Sequence, residues 1–305
     1  MWKKVTDEVH SKGSYIWLQL GAMGRTADPN VLQREGSDSV TGASPYPLSA
    51  NAPKSRAMTS TEIRASIAAY ATAATNAVHK AGFDGVEVHT ANGYLLDQYL
   101  QNVSNKRTDD WGGSVPNRSR FVLEATRAVI QAVGLGRTGL PLSPFSTFNG
   151  MGMADPLPQF SHLCEQLKVL ELAYLHLIES RASGDGDAKG AAAQATKLDH
   201  LVKILGDTSP LLITGGFTPE SARRAVDEEF HDKNVAVVFG RPFVSNPDLV
   251  FRVREQVPFA PYDRKSFYVV KSARGYVDYP FPGEWEKRKD QVVGVIARSD
   301  PSTTM

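Results

Sequence analysis

The chain has 305 residues, with 34 Lys and Arg against 33 Asp and Glu. So even a balance gives no bulk field for gathering nucleic acid or an anionic membrane surface, and the length suits one large α/β domain or two modest ones. A single cysteine, Cys164, excludes an internal disulfide, and with no apolar run at Met1–Asp7 and no apolar stretch longer than the likes of Val235–Phe239, the expectation is a soluble cytoplasmic protein.

In chain order, Trp2–Ser11 is predicted helical, with Val5 and Val9 on one face. Tyr15–Leu20 is predicted as a strand and Gly21–Met58, rich in Gly, Ser, Pro and Asn, as a long loop. Thr59-x-x-Glu62 spells a capping box, opening a helix to Lys80 whose buried stripe is Ile63, Ile67, Tyr70, Ala74 and Val78. A short buried strand, Val86–Val88, follows. Further elements are a helix over Asn117–Val133, a strand over Leu140–Ser143, a helix over Pro158–Leu170 and a strand over Tyr174–Ile178. Arg181–Asp187 has the composition of a mobile loop. After a helix at Ala193–Leu205 come strand Leu211–Thr214, a helix starting near Pro219, strand Val235–Phe239 and a final helix opened by Asn246-Pro247. Apolar strands in strict alternation with helices predict a parallel sheet covered by helices. The strands number six, whereas a closed β/α barrel needs eight.

Polar groups stand where the Val86–Val88 strand ends. His89 and Asn92 are two neutral donors able to hold one carbonyl oxygen, and Tyr94 offers a phenolic proton beside them. Taken alone, H-x-x-N is more often a satisfied buried histidine with a turn asparagine. Gly215-Gly216 and Gly240-Arg241 lie at the ends of the last two strands, where backbone N–H groups suit a phosphate; they could be ordinary turn glycines, but the pairing with Arg241 favours the phosphate. Gly134–Gly139 matches G-x-G-x-x-G, but it follows a helix and precedes a strand, the reverse of a dinucleotide fingerprint, so these read as loop glycines.

The run His89-Thr90-Ala91-Asn92-Gly93-Tyr94-Leu95-Leu96-Asp97-Gln98, then Asn105-Lys106-Arg107-Thr108-Asp109-Asp110-Trp111-Gly112-Gly113-Ser114 and Asn117-Arg118-Ser119-Arg120-Phe121, resembles the Old Yellow Enzyme family of FMN-dependent ene-reductases, its fungal members especially. The resemblance extends from Met1 to about Phe281. It implies an incomplete β/α barrel over 1–281, lacking the family's first two strands, with a charged, loose tail over 282–305. It also implies that His89 and Asn92 bind the carbonyl of an α,β-unsaturated substrate and that Tyr94 protonates its α-carbon. Gln19 would meet the flavin's pyrimidine edge, and Gly215, Gly216, Gly240 and Arg241 its phosphate. Tyr268 would border the substrate, with NADPH or NADH as reductant.

Two positions depart from the family. Pro141 stands where the resemblance places an arginine facing the flavin, and proline is unusual inside a central strand. Gly21 replaces a bulky aromatic, which widens the substrate pocket toward a multi-ring or polyketide-like enone of fungal secondary metabolism. With strands missing and the cation lost, FMN is expected to be held weakly or not at all. An alternative keeps the acid and the donors but performs redox-neutral isomerisation or cyclisation; another is an inactive, truncated homologue. Open barrel edges would be covered by a second copy in a homodimer, by the Gly21–Met58 loop or by the tail.

Overall fold

The computed structural model describes residues 1–37, 39–49, 52–179, 182–183, 186–187 and 192–288. Its frame is a six-stranded, wholly parallel sheet: β1 (Trp17–Leu20), β2 (Gly85–Val88), β3 (Thr138–Leu142), β4 (Tyr174–Ile178), β5 (Leu211–Thr214) and β6 (Val235–Val238). The strands lie side by side in chain order, the singly wound arrangement of a β/α barrel. Only β1 and β6 lack a second neighbour, and among the described residues no strand pairs with their outer edges. Among the described residues, neither the Gly21–Met58 loop nor the start of the tail adds a strand to either edge.

Helices α1 (Trp2–Ser11), α2 (Ser60–Thr75), α3 (Leu95–Leu100), α4 (Val115–Val133), α5 (Leu157–Lys168) and α6 (Ala192–Leu205) precede or connect the first five strands. Beyond β5 come α7 (Pro219–Arg224), α8 (Arg241–Ser245) and α9 (Leu249–Glu255). The capping box holds: the Thr59 hydroxyl accepts from the Glu62 N–H at 3.2 Å and the Glu62 carboxylate from the Thr59 N–H at 2.7 Å. The stretch Asn76–Lys80 winds on from α2 as a π turn. α4 starts earlier than the sequence suggests, because Ser114 caps it and Pro116 occupies a first-turn position that needs no N–H. The Gly21–Met58 stretch is less irregular than expected, containing a helix at Pro29–Arg34 and a two-residue parallel ladder between Thr41–Gly42 and Arg56–Ala57.

Alternate residues along each strand face opposite ways. One set, including Val86, Val88, Leu140, Leu142, Leu175, Leu177, Leu211 and Ile213, is buried under the helices together with Phe121, Phe160 and Leu163. The other set lines the concave face that a closed barrel would fill. There Trp17, Tyr174, His176, Leu212, Thr214 and Val238 are only half-buried, and Gln19 and Ala236 are exposed.

Two sequence expectations change here. Gly139 is not a loop glycine: it lies inside β3, and a Cβ there would come within 2.4 Å of the Tyr174 ring. Residues 282–288, expected to begin a loose tail, include a helical turn over 283–288. Trp285 packs edge-on to Phe251 at 5.3 Å and stacks on Phe281 at 5.6 Å, while Arg288 pairs with Glu255 at 2.7 Å. An aromatic with two such neighbours releases more by burial than a short charged segment gains by staying free. The rest of that tail, and most of the Arg181–Asp187 loop, lie outside the described residues.

Pro141 does sit in a strand between two others. The ladder to β4 runs on to Leu142, whereas the ladder to β2 stops at Gly139. The missing N–H falls on the β2 side, where the Pro141 carbonyl accepts the Thr90 hydroxyl instead.

Candidate active site

The carboxyl end of β2 turns sharply. His89 still continues the strand, its N–H donating to the Leu20 carbonyl at 2.8 Å. Asn92 then takes φ +57° and Gly93 φ +74°, the left-handed region, which asparagine and glycine enter most easily. Four side chains brace this turn. Ser143 Oγ accepts the Asn92 N–H at 2.7 Å, Asn149 Nδ2 donates to the Asn92 carbonyl at 2.9 Å, Asp97 accepts the Gly93 N–H at 2.8 Å, and Gln98 Nε2 donates to the Gly93 carbonyl at 2.8 Å. Every backbone polar group that the turn frees from the ladder at Asn92 and Gly93 is thus satisfied.

What the bracing leaves over is chemical. Among the described residues the side chains of His89, Asn92 and Tyr94 make no hydrogen bond, and His89 Nδ1 is a buried nitrogen without a partner. The His89 and Tyr94 rings lie 4.9 Å apart, tilted by 53°. Burial, which disfavours the imidazolium, pushes the His89 pKa down to about 4, against the upward pull of Glu87, so the ring is neutral at physiological pH. Gly21, at the end of β1, faces it: a Cβ there would lie 3.5 Å from His89 Cδ2.

The long motif after His89 is scaffold. Asn105 Nδ2 donates to the carbonyls of Tyr99 and Trp111 at 2.8 Å each, Arg107 clasps Asp109 in two bonds at 2.9 and 2.6 Å, and buried Arg118 donates to the Leu100 carbonyl and to Gln159. These contacts fix α3 and α4, and through them the turn.

On the concave face Gln19 donates to Glu87 at 2.6 Å. At the ends of β5 and β6, Gly216 (φ +72°) and Gly240 would admit a Cβ into open space, whereas at Gly215 it would strike the Glu179 carboxylate at 2.0 Å. Gly216, Gly240 and Arg241 line a 150 Å³ recess, and Gly216 and Arg241 also line a 570 Å³ cavity with Arg223, Phe259 and Tyr262. Two glycines free of side chains beside an arginine form a cradle that a phosphate fits, with Gly215 serving packing.

Tyr268 lies in the segment after α9. It is 81% exposed, has φ +62° and contacts Phe267 and Tyr276; no hydrogen bond or ring contact joins it to His89, Asn92 or Tyr94. Sequence reading missed Ser143 and Asn149, which brace the turn from some fifty positions away, and Glu87 and His176. Their one signal was charge and polarity at alternate positions of central, otherwise apolar strands.

A singly wound parallel sheet with two neutral donors and a phenol at one strand end, and side-chain-free glycines beside an arginine at its last two, is an arrangement that suits a flavin-dependent β/α-barrel reductase. The chain belongs to the NADH:flavin oxidoreductase / NADH oxidase family, whose model matches residues 1–259. It is 55% identical over 287 residues to the chanoclavine-I aldehyde reductase fgaOx3 of Penicillium roqueforti, covering 94% of this chain and 76% of that one. It is also 49% identical to a probable inactive dehydrogenase, easA, of Claviceps purpurea, over 95% of this chain and 77% of the other. Among solved structures, the Old Yellow Enzyme from Pichia sp. AKU4542 superposes with a TM-score of 0.82 at 36% identity, over 92% of this chain and 73% of that one. The fold is thus of the Old Yellow Enzyme barrel type, with six parallel barrel strands among the described residues, and the cofactors of the family are FMN and a reduced nicotinamide.

Proposed function

We propose that the chain reduces the C=C bond of a bulky α,β-unsaturated aldehyde or ketone in fungal secondary metabolism. The observation that carries the reading is the unspent trio His89, Asn92 and Tyr94 on a turn whose backbone groups at Asn92 and Gly93 are all satisfied. FMN, reduced by NADPH or NADH, would supply the hydride for the β-carbon. Gly216, Gly240 and Arg241 would hold its phosphate and Gln19 its pyrimidine edge. His89 and Asn92 donate to the carbonyl oxygen and stabilise the charge that grows there, and the Tyr94 hydroxyl gives its proton to the α-carbon. A neutral His89 suits this role, since it donates without protonating the oxygen outright. Gly21, opposite His89, leaves the width that a multi-ring substrate needs.

The reading also includes a homodimer covering the open edges of β1 and β6, a barrel unit over 1–281, and a cytosolic location where reduced nicotinamide is abundant and Cys164 stays a thiol. No helix among the described residues is long and apolar enough to cross a membrane.

The test is turnover of a polycyclic enal with NADPH, followed by product analysis. The saturated aldehyde is the expected product; an allylic alcohol would refute C=C reduction, and turnover without NADPH would favour the redox-neutral alternative. Tyr94→Phe is expected to lower kcat by roughly 10²- to 10⁴-fold with little change in KM. A wild-type rate in that variant removes Tyr94 as the proton donor.

A further inference from the structure

Glu87, 8% exposed on the concave face, collects donors from two other strands. Gln19 Nε2 on β1 donates to Oε1 at 2.6 Å, His176 Nδ1 on β4 meets Oε2 at 3.1 Å, and the Tyr174 hydroxyl also donates. Strand β3 lies between Glu87 and His176, so their bond passes over it. Gly139 is the register partner of Glu87 and Tyr174, and Pro141 that of His176. Neither residue carries a long side chain, and that shortness lets a carboxylate and an imidazole meet across an intervening strand. No lysine or arginine bonds Glu87 among the described residues. A carboxylate out of water is held by hydrogen bonds, by an opposite charge or by both, and here the neighbour able to carry a charge is His176, whose Nε2 is buried with no partner of its own. Burial works to raise the Glu87 pKa, but the His176 bond and charge, with Gln19 and Tyr174, hold it below the ordinary carboxylate range.

We propose that Glu87 and His176 form a positioning pair: Glu87 turns the Gln19 amide so that Nε2 points inward and Oε1 outward, and His176, as imidazolium, supplies the positive charge that Pro141 does not. With one Nε2 hydrogen spent on Glu87, Gln19 keeps one donor and one acceptor for a ligand. That is the complement of a ring edge bearing adjacent N–H and C=O groups, and the nearby cation favours that ring when it is negatively charged. This rests on the flavin reading above and adds to it the residues that select the reduced state.

In purified protein titrated with FMN, His176→Gln is expected to weaken reduced FMN about tenfold more than oxidised FMN, lowering the potential of the bound flavin by about 30 mV. Adding Pro141→Arg to that variant brings a cation back from the strand between and restores the potential. Equal loss in both redox states, or failure of the second substitution to restore it, would reduce His176 to a packing role. A second measurement needs no flavin: ¹⁵N spectra of the apoprotein at pH 7 are expected to show both His176 nitrogens protonated, reverting to a neutral ring in Glu87→Gln. A neutral ring in the unmodified protein overturns the pair. If the unmodified protein binds no FMN while its His176 is doubly protonated, the pair stands and the flavin reading is what falls.

Discussion

At the residue scale the site is governed by what His89 lacks. With its pKa pushed down to about 4 by burial, His89 does not change charge between pH 6 and 8. The rate profile of the reductase is therefore expected to have no inflection near 6.5 from this ring, and an NMR titration of its Cε1 proton to stay flat over that range. A histidine-like inflection near 6.5 that vanishes in His89→Asn would contradict the neutral-donor role. Gly21 is the second lever. A side chain there meets His89 Cδ2 at an ordinary van der Waals distance, so Gly21→Phe is expected to fold and to stand over the imidazole. For a multi-ring enal KM is expected to rise roughly tenfold or more, the range of pocket-shape discrimination, while 2-cyclohexenone is affected far less. Similar changes for both substrates would mean that Gly21 does not set the pocket's width.

At the scale of elements, the turn from β2 into α3 depends on a buried acid. Asp97 is fully buried, and burial pushes its pKa up to about 7, outweighing the bonds from Gln101 and the Gly93 N–H and the charge of Arg25. The folded state therefore binds this proton more tightly than the unfolded chain, whose value is near 3.8. The contribution to stability is complete below pH 3.8 and is lost as pH rises through about 7, at up to roughly 1.4 kcal/mol per pH unit. Asp97→Asn removes the titration. Its melting temperature relative to the parent is expected to climb from pH 4 to about pH 7 and to level off above, and a constant difference would show that Asp97 is not the titrating group.

The same turn shows what a sequence can convey. The strand end before His89, the capping box at Thr59 and the alternation of apolar strands with helices are local, and all were legible. Ser143 and Asn149 were not, because nothing in a strand-end serine or a loop asparagine says which distant backbone it will meet. Gly139 looked like a loop glycine because its reason, the Tyr174 ring, lies on another strand. Tyr268 was assigned by resemblance alone, and the ring contacts of its segment are with its own neighbours.

At the scale of the whole molecule, the concave face is the weak point. Half-buried Trp17, Tyr174, Leu212 and Val238, with unpaired edges on β1 and β6, leave apolar surface and backbone donors open to water or to another chain. A ligand seated there at a hundred times its Kd is expected to add about 2.7 kcal/mol of stability. FMN is accordingly expected to raise the melting temperature and to reduce the fluorescence of a hydrophobic dye bound to the apoprotein. If saturating FMN left both unchanged, it would not be occupying this face.

The order of the strands carries one more consequence. Gln19 belongs to β1 and the Gly216–Gly240 cradle to β5 and β6, so the two grips assigned to the cofactor stand on opposite margins of an unclosed sheet. In a complete barrel those margins are tied by covalently connected strands. Here a molecule held at both ends is a crossbeam, a second link between margins that the four strands between them also join. Amide exchange at Leu18 and Leu20 is then expected to slow when FMN binds, and to lose much of that protection in Arg241→Ala, a substitution on the far margin.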